Sequence, residues 1–343
     1  PVSGLIDPSV GSINSIGESL TNIIWAPLEN GIKSVSLSAN WMWPCGNEGE
    51  DSRLYKAVQA CSEFAIDLGI NIPTGKDSLS MVQKYDGLKV KSPGTVIISA
   101  SGHCNDIRKI VKPVLDKNSG DLYYINLSFD DYKLGGSSFA QTLNKIGSDS
   151  PEIKNPFKFK ESFNLVQNLI YKNNILSGHD ISSGGLITCL LEMCFSSNNI
   201  GLDIDLSNLG CSDSSKLIFS ENSGIIIQSN KDLEKEFSSI DVKCFRIGNT
   251  NNKGVLNIKN FENNFSFNIN KYRDIWYSTS KDFDLKQTKN NKAIERFNNY
   301  KNQPLEYIFP YGFNGNNTSD NSNKKIKAAI IREKGSNSER EMA

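Results

Sequence analysis

Residues 186–195, LITCLLEMCF, would be apolar on almost every face of a helix. Such a helix cannot lie on a surface; it has to be covered all round, so the fold needs layers on both sides of it. Directly ahead stands SGHDISSGG, residues 177–185, where His179 and Asp180 lead into serines and glycines. The start of a buried helix offers free N–H groups and a positive dipole end, a seat for phosphate. Gly184 and Gly185 keep side chains out of that seat. Asp180 would repel a phosphate unless a metal ion stood between them. A plainer role also fits, with Asp180 or Ser182 capping the helix. This stretch alone leaves both open.

A second group of oxygen donors lies in GESLTNIIW, residues 17–25. Glu18 and Asn22 are at i and i+4, so they share one helix face, and a carboxylate with an amide oxygen suits a hard cation such as Mg²⁺. At about 100° per residue the pair sits opposite the Ile13, Ile16 and Leu20 stripe. A solvated polar face explains it as well, unless that face meets the Asp180 loop. Three oxygen ligands from two distant segments would then converge. The third candidate, NIPTGKDSLSM at residues 71–81, nearly matches a P-loop and fails. Gly69 and Gly75 are one residue too far apart, and Asp77 stands where Ser or Thr should follow Lys76. Lys76 remains a candidate nucleotide contact as a point charge; the alternative is a polar turn between helix and strand. His103 and His179 are weak candidates for a general base.

Composition narrows the partners. Lys plus Arg and Asp plus Glu both number 38, so the chain has no net charge, which removes the electrostatic case for nucleic acid or an anionic membrane. No apolar run approaches the ~20 residues of a membrane span, and the opening residues lack the pattern of a signal peptide. The 7 cysteines contain no CxxC pair and there are only 2 histidines, so zinc is unlikely in composition terms and buried thiols in a cytoplasmic protein are expected.

Along the chain, apolar spacing predicts a helix from about Ser12 and a strand in KSVSLSANWMW. A second helix runs from Asp51 through Leu54, Cys61 and Leu68 to a stop at Gly69, and GTVIISASG is a strand closing a first domain. LYYINLSF opens a second unit, followed by the Gly-rich turn KLGGSSFAQTL and a helix in ESFNLVQNLIYKN. The runs IGLDIDL, SGIIIQS, CFRIG and GVLNI read as strands. Helices and antiparallel-looking strands mix without a βαβ period, so an α+β sandwich is expected rather than a Rossmann fold. The expected division is 1–118, 119–280, a linker at 281–323 rich in Asn, Lys and Gln, and a buried strand with a glycine turn at 324–343. The last reads as the first βα step of a further domain, as if the chain were a piece of something longer.

Taken in order, GESLTNI, LSANWMWPCGNEGEDSRLY, INIPTGKDSLSM, SPGTVIISA, LGGSSFAQ, GHDISSGGL, FSENSGIIIQ and RDIWYSTS resemble the large form of phosphoribosylformylglycinamidine synthase. The resemblance covers nearly the whole chain and is weakest at 281–323. It implies an α+β fold of two domains like aminoimidazole ribonucleotide synthetase, here the second synthetase half. IREKGSNSEREMA resembles the start of a class I glutaminase domain. The implied reaction converts formylglycinamide ribonucleotide, ATP and glutamine to formylglycinamidine ribonucleotide, ADP, phosphate and glutamate. Residue by residue, Glu18, Asn22 and Asp180 match the family's magnesium ligands and Ser182 its nucleotide contact. GKDSLS and the ANWM…GED loop would face substrate. One more magnesium-binding aspartate and the main ATP glycine loop of the family lie upstream of residue 1, and the glutaminase nucleophile lies downstream of residue 343. The resemblance thus leaves two versions, a ligase part with a Mg·ATP or Mg·ADP site, or a half that holds nucleotide only for structure. The competing readings are a thiamine-phosphate or selenophosphate type kinase of the same fold and a pure interaction module.

Overall fold

The computed structural model describes residues 2–197, 199–302, 308, 310–312 and 327–332. After a single turn, α1 (Ser3–Ile6), Asp7 caps α2 (Pro8–Ile23). Its carboxylate accepts from the Ser9 N–H at 2.8 Å and the Val10 N–H at 3.4 Å. Pro8 takes the first helical position, where a missing N–H costs nothing. The cap starts the helix earlier than the apolar stripe from Ser12 indicates. Asp7→Ala should therefore lower stability by about 1 kcal/mol in urea denaturation with an unchanged m-value.

The first unit continues through β1 (Ser36–Met42), α3 (Glu50–Leu68), β2 (Asn71–Ser78), β3 (Val82–Tyr85), β4 (Leu88–Lys91) and β5 (Thr95–Ser101). Strand order is β2-β1-β5, with β1 parallel to β2 and antiparallel to β5, while β3 and β4 form a separate hairpin. Gly69 ends α3 as expected. The NIPTGKDS stretch is strand β2 rather than a polar turn. It pairs with β1 across six residue positions, and the partner strand supplies what its weak β propensity does not.

The second unit holds β6 (Asp121–Asn126), α4 (Ser138–Thr142), α5 (Pro156–Tyr171), β7 (Ser177–Ile181), α6 (Gly185–Phe195), β8 (Gly201–Asp205) and α7 (Ser214–Phe219). Then follow β9 (Gly224–Ser229), α8 (Leu233–Ser238), β10 (Phe245–Asn251), β11 (Val255–Asn260), β12 (Asn263–Asn268), α9 (Ile269–Gln287) and α10 (Lys292–Asn299). The sheet runs β12-β11-β8-β10-β6-β9-β7, antiparallel except between β11 and β8. This is the mixed α+β arrangement expected. β9 is buried at every position between β6 and β7.

Each face of the large sheet carries its own core. On one, Leu122, Tyr124, Ile226 and Ile204 meet Leu186, Leu190, Met193 and Cys194 of α6, which is buried as its all-round apolarity requires. On the other, Tyr123, Ile125, Ile225 and Ile227 join Phe159, Phe163 and Val166 of α5. The same cluster takes in Ile16, Leu20 and Ile24 of α2 and Cys61, Phe64 and Leu68 of α3. One hydrophobic core therefore spans both units.

The stretch 281–323, expected as a linker, begins with the end of α9 and all of α10. Tyr277 stacks on Tyr300 with ring centroids 4.0 Å apart, and the Trp276 indole N–H donates to Glu192 of α6 at 3.0 Å, fastening α9 to the body. The buried strand expected at the start of 324–343 is not found in the part described. Residues 327–332 are exposed and belong to no strand. The glycine turn after them lies outside the described residues.

Candidate functional site

The face of α2 that carries Glu18 meets the loop after Asp180. Ser182 Oγ donates to Glu18 Oε1 at 2.5 Å, across the boundary between the two units. This meets the condition for Glu18, whereas Asn22 remains exposed. Glu18 and Ser182 line a cavity of about 130 Å³ together with Asn14, Gly136, Glu221 and Ser223. Glu18 also borders a wider, mostly apolar cavity of about 650 Å³ between α2 and β5, and Asn22 lines that one. Asp180 is 7 % exposed at the end of β7.

The cleft gathers the carboxylates of Glu18, Asp180 and Glu221. Burial pushes the Glu18 carboxyl above its ordinary range; the Ser182 hydrogen bond opposes this, and the Asp180 and Glu221 charges add to it. No lysine or arginine is among the residues lining the smaller cavity. Glu18, Asp180 and the Asn22 amide oxygen are hard oxygen donors, so a magnesium ion fits the chemistry of the set. It would need water or phosphate oxygens to complete its shell. Among the described residues no three His, Cys, Asp or Glu side chains form a metal-holding group by themselves.

His179 sits between two carboxylates. Burial works to lower its pKa, but hydrogen bonds to the Asp180 carboxylate and the Cys189 sulfur outweigh that and raise it to about 11. Its Nδ1 lies 3.3 Å from Asp180 Oδ1 and its Nε2 3.4 Å from Glu192 Oε2.

Neither Asp180 nor Ser182 caps α6. The capping residue is Gly184 at φ +89°, with no side-chain cap. The Gly184 N–H donates instead to Glu221 Oε1 at 2.8 Å, and the Ser138 N–H donates to the same oxygen at 2.7 Å. Sequence reasoning missed Glu221: it sits in FSENSGIIIQ, and nothing in that local pattern announces a reach to two distant loops. Lys76 stands apart. It lies on β2, donates to Ser78 Oγ at 3.0 Å, and lines neither cavity bordered by Glu18.

Residues 1–103 match the family model "FGAR-AT PurM_N-like domain", and residues 127–259 match "AIR synthase related protein, C-terminal domain". A probable phosphoribosylformylglycinamidine synthase of Arabidopsis thaliana, chloroplastic/mitochondrial, is 37% identical over 357 residues, covering 100% of this chain and 25% of the relative. The human phosphoribosylformylglycinamidine synthase is 32% identical over 355 residues, covering 100% of this chain and 26% of its own length. Among solved structures, T. maritima PurL complexed with FGAR superposes with a TM-score of 0.60 at 11% identity, over 79% of this chain and 44% of that one. The hydrogenase maturation protein HypE in complex with ATP gives 0.54 at 13% identity, over 75% and 78%. At such identities these likenesses speak for the fold alone, and the chain spans about a quarter of the length of these two curated relatives. With both domain models matched in order and similarity to these synthases running through its whole length, the chain belongs to the phosphoribosylformylglycinamidine synthase family, as a segment of it.

Proposed function

We propose that this segment is the second synthetase half of a purine-biosynthetic ligase and that it holds a magnesium nucleotide between its two units. The complete enzyme would convert formylglycinamide ribonucleotide, ATP and glutamine to formylglycinamidine ribonucleotide, ADP, phosphate and glutamate. The division at 118, 280 and 323, with residues 324–343 opening a glutaminase domain, belongs to the same reading.

The observation that carries it is the Ser182–Glu18 hydrogen bond, which closes α2 onto the Asp180 loop around a small polar cavity. Glu18, Asn22 and Asp180 would hold the ion and Ser182 would contact nucleotide phosphate. A bound Mg²⁺ would supply charge neutralisation for the phosphates. What these side chains do themselves is position and screen. Ser182 orients the Glu18 carboxylate, and the protonated His179 pairs with Asp180. A second version of the reading has the nucleotide held for structure while turnover occurs at another site of the intact enzyme.

The test is the nucleotide and magnesium content of the purified protein. The denatured supernatant is run by chromatography with mass detection, and magnesium is counted in parallel. Near-stoichiometric ADP or ATP with Mg²⁺ is expected, and both should be lost in Asp180→Ala. An empty protein that also takes up nothing after incubation with Mg·ADP would sink the reading.

A further inference from the structure

Glu221 is a built-in anion. Its Oε1 accepts from the Gly184 N–H at 2.8 Å and the Ser138 N–H at 2.7 Å, so one N–H at the start of α6 and one at the start of α4 are already engaged by a carboxylate. α6 is 11 residues long, enough to place the equivalent of about half a positive charge at that end. The carboxylate also lines the small cavity with Glu18 and Ser182. A phosphate group entering this space meets the Glu221 carboxylate at the helix start and the Glu18 carboxylate.

We propose that Glu221 is a positioning residue that makes phosphate binding in this cavity conditional on a divalent cation. Its carboxylate occupies the place at the start of α6 that an anion would take, leaving only a cation-bridged approach on the Glu18 side. The same two hydrogen bonds hold the loop of Gly135 and Gly136 against the loop of Ser182, so the width of the cavity follows from them. The proposal rests on the nucleotide reading above and adds how that site is kept from binding metal-free anions.

The experiment titrates the full chain, as wild type, Glu221→Gln and Glu221→Ala, with ADP and with inorganic phosphate by calorimetry, each in Mg²⁺ and in EDTA. Glutamine keeps an acceptor oxygen for both N–H groups and removes only the charge, so a purely structural role would leave it like wild type. Expected is a loss of ADP affinity in EDTA of about a hundredfold for wild type. In both variants metal-free ADP should bind about tenfold tighter than to wild type, the size of one removed charge interaction. Glu221→Ala should also take inorganic phosphate without metal. Equal metal-free affinities in all three folded proteins, or no metal-free phosphate binding by Glu221→Ala, would overturn the proposal. So would unfolding of both variants, which would assign Glu221 to the fold alone. Wild type failing to bind Mg·ADP sinks the nucleotide reading instead, and the phosphate titrations still decide the role of Glu221.

Discussion

Phe159→Ala is expected to destabilise the protein by about 3–5 kcal/mol, and to do so in both units together. Phe159 is fully buried on α5, with its ring edge-on to Phe64 of α3 at 6.3 Å between centroids. α5 belongs to the second unit and α3 to the first, and the cluster they share continues into α2 and the large sheet. Truncation leaves a cavity that neither helix can close without moving the other. Proteins of this size with two units often unfold in two steps. Here the common core predicts one. Urea unfolding followed by tryptophan fluorescence and far-UV circular dichroism reads the outcome, since Trp25, Trp41 and Trp43 report from the first unit and Trp276 from α9. A variant in which only one probe shifts would show that the units are stable independently.

Gly185→Ala should cost about 2–5 kcal/mol and remove nucleotide binding. Gly185 has φ +73°, a conformation that costs an L-residue roughly 1–2 kcal/mol. A Cβ there would also lie 2.8 Å from the Ile218 and Ser220 carbonyl oxygens and 2.7 Å from the Phe219 carbonyl carbon. Those atoms are backbone and cannot turn aside, so overpacking adds about 1–3 kcal/mol. Gly46→Ala is the control, because Gly46 also has φ +73° but nothing within 4 Å of its Cβ position. Thermal unfolding and Mg·ADP binding of the two variants separate the contributions. Equal loss at both positions would mean that the close approach at Gly185 contributes nothing.

Much of the fold is legible because its periods are clean. α3 and α6 show their apolar spacing directly, and β1 and β5 are bounded runs of strand-forming residues. β2 is not legible, since Pro73, Gly75, Lys76 and Asp77 argue against a strand and only the parallel register to β1 makes it one. The β3–β4 hairpin carried an Asp86-Gly87 turn between its strands, a local signal that went unused. In the site, Asp180 and the glycines could be picked out as candidates from their own stretch. The meeting of Ser182 with Glu18 could not, because the two residues are 164 positions apart and no spacing rule reaches that far. Glu221 was hidden for the same reason; its two partners come from different loops.

The placement of β9 has a kinetic consequence. A strand buried at all of its positions and paired on both edges exchanges its amide hydrogens only when the whole protein opens. Glu221 sits just ahead of that strand and Asp180 lies on β7 beside it, so the carboxylate wall of the cleft is mounted on the slowest-opening part of the molecule. The neighbouring loop is different: residues 143–149, between Gly136 and Pro151, are exposed throughout. Protection from hydrogen exchange should therefore be far weaker across 143–149 than across β9.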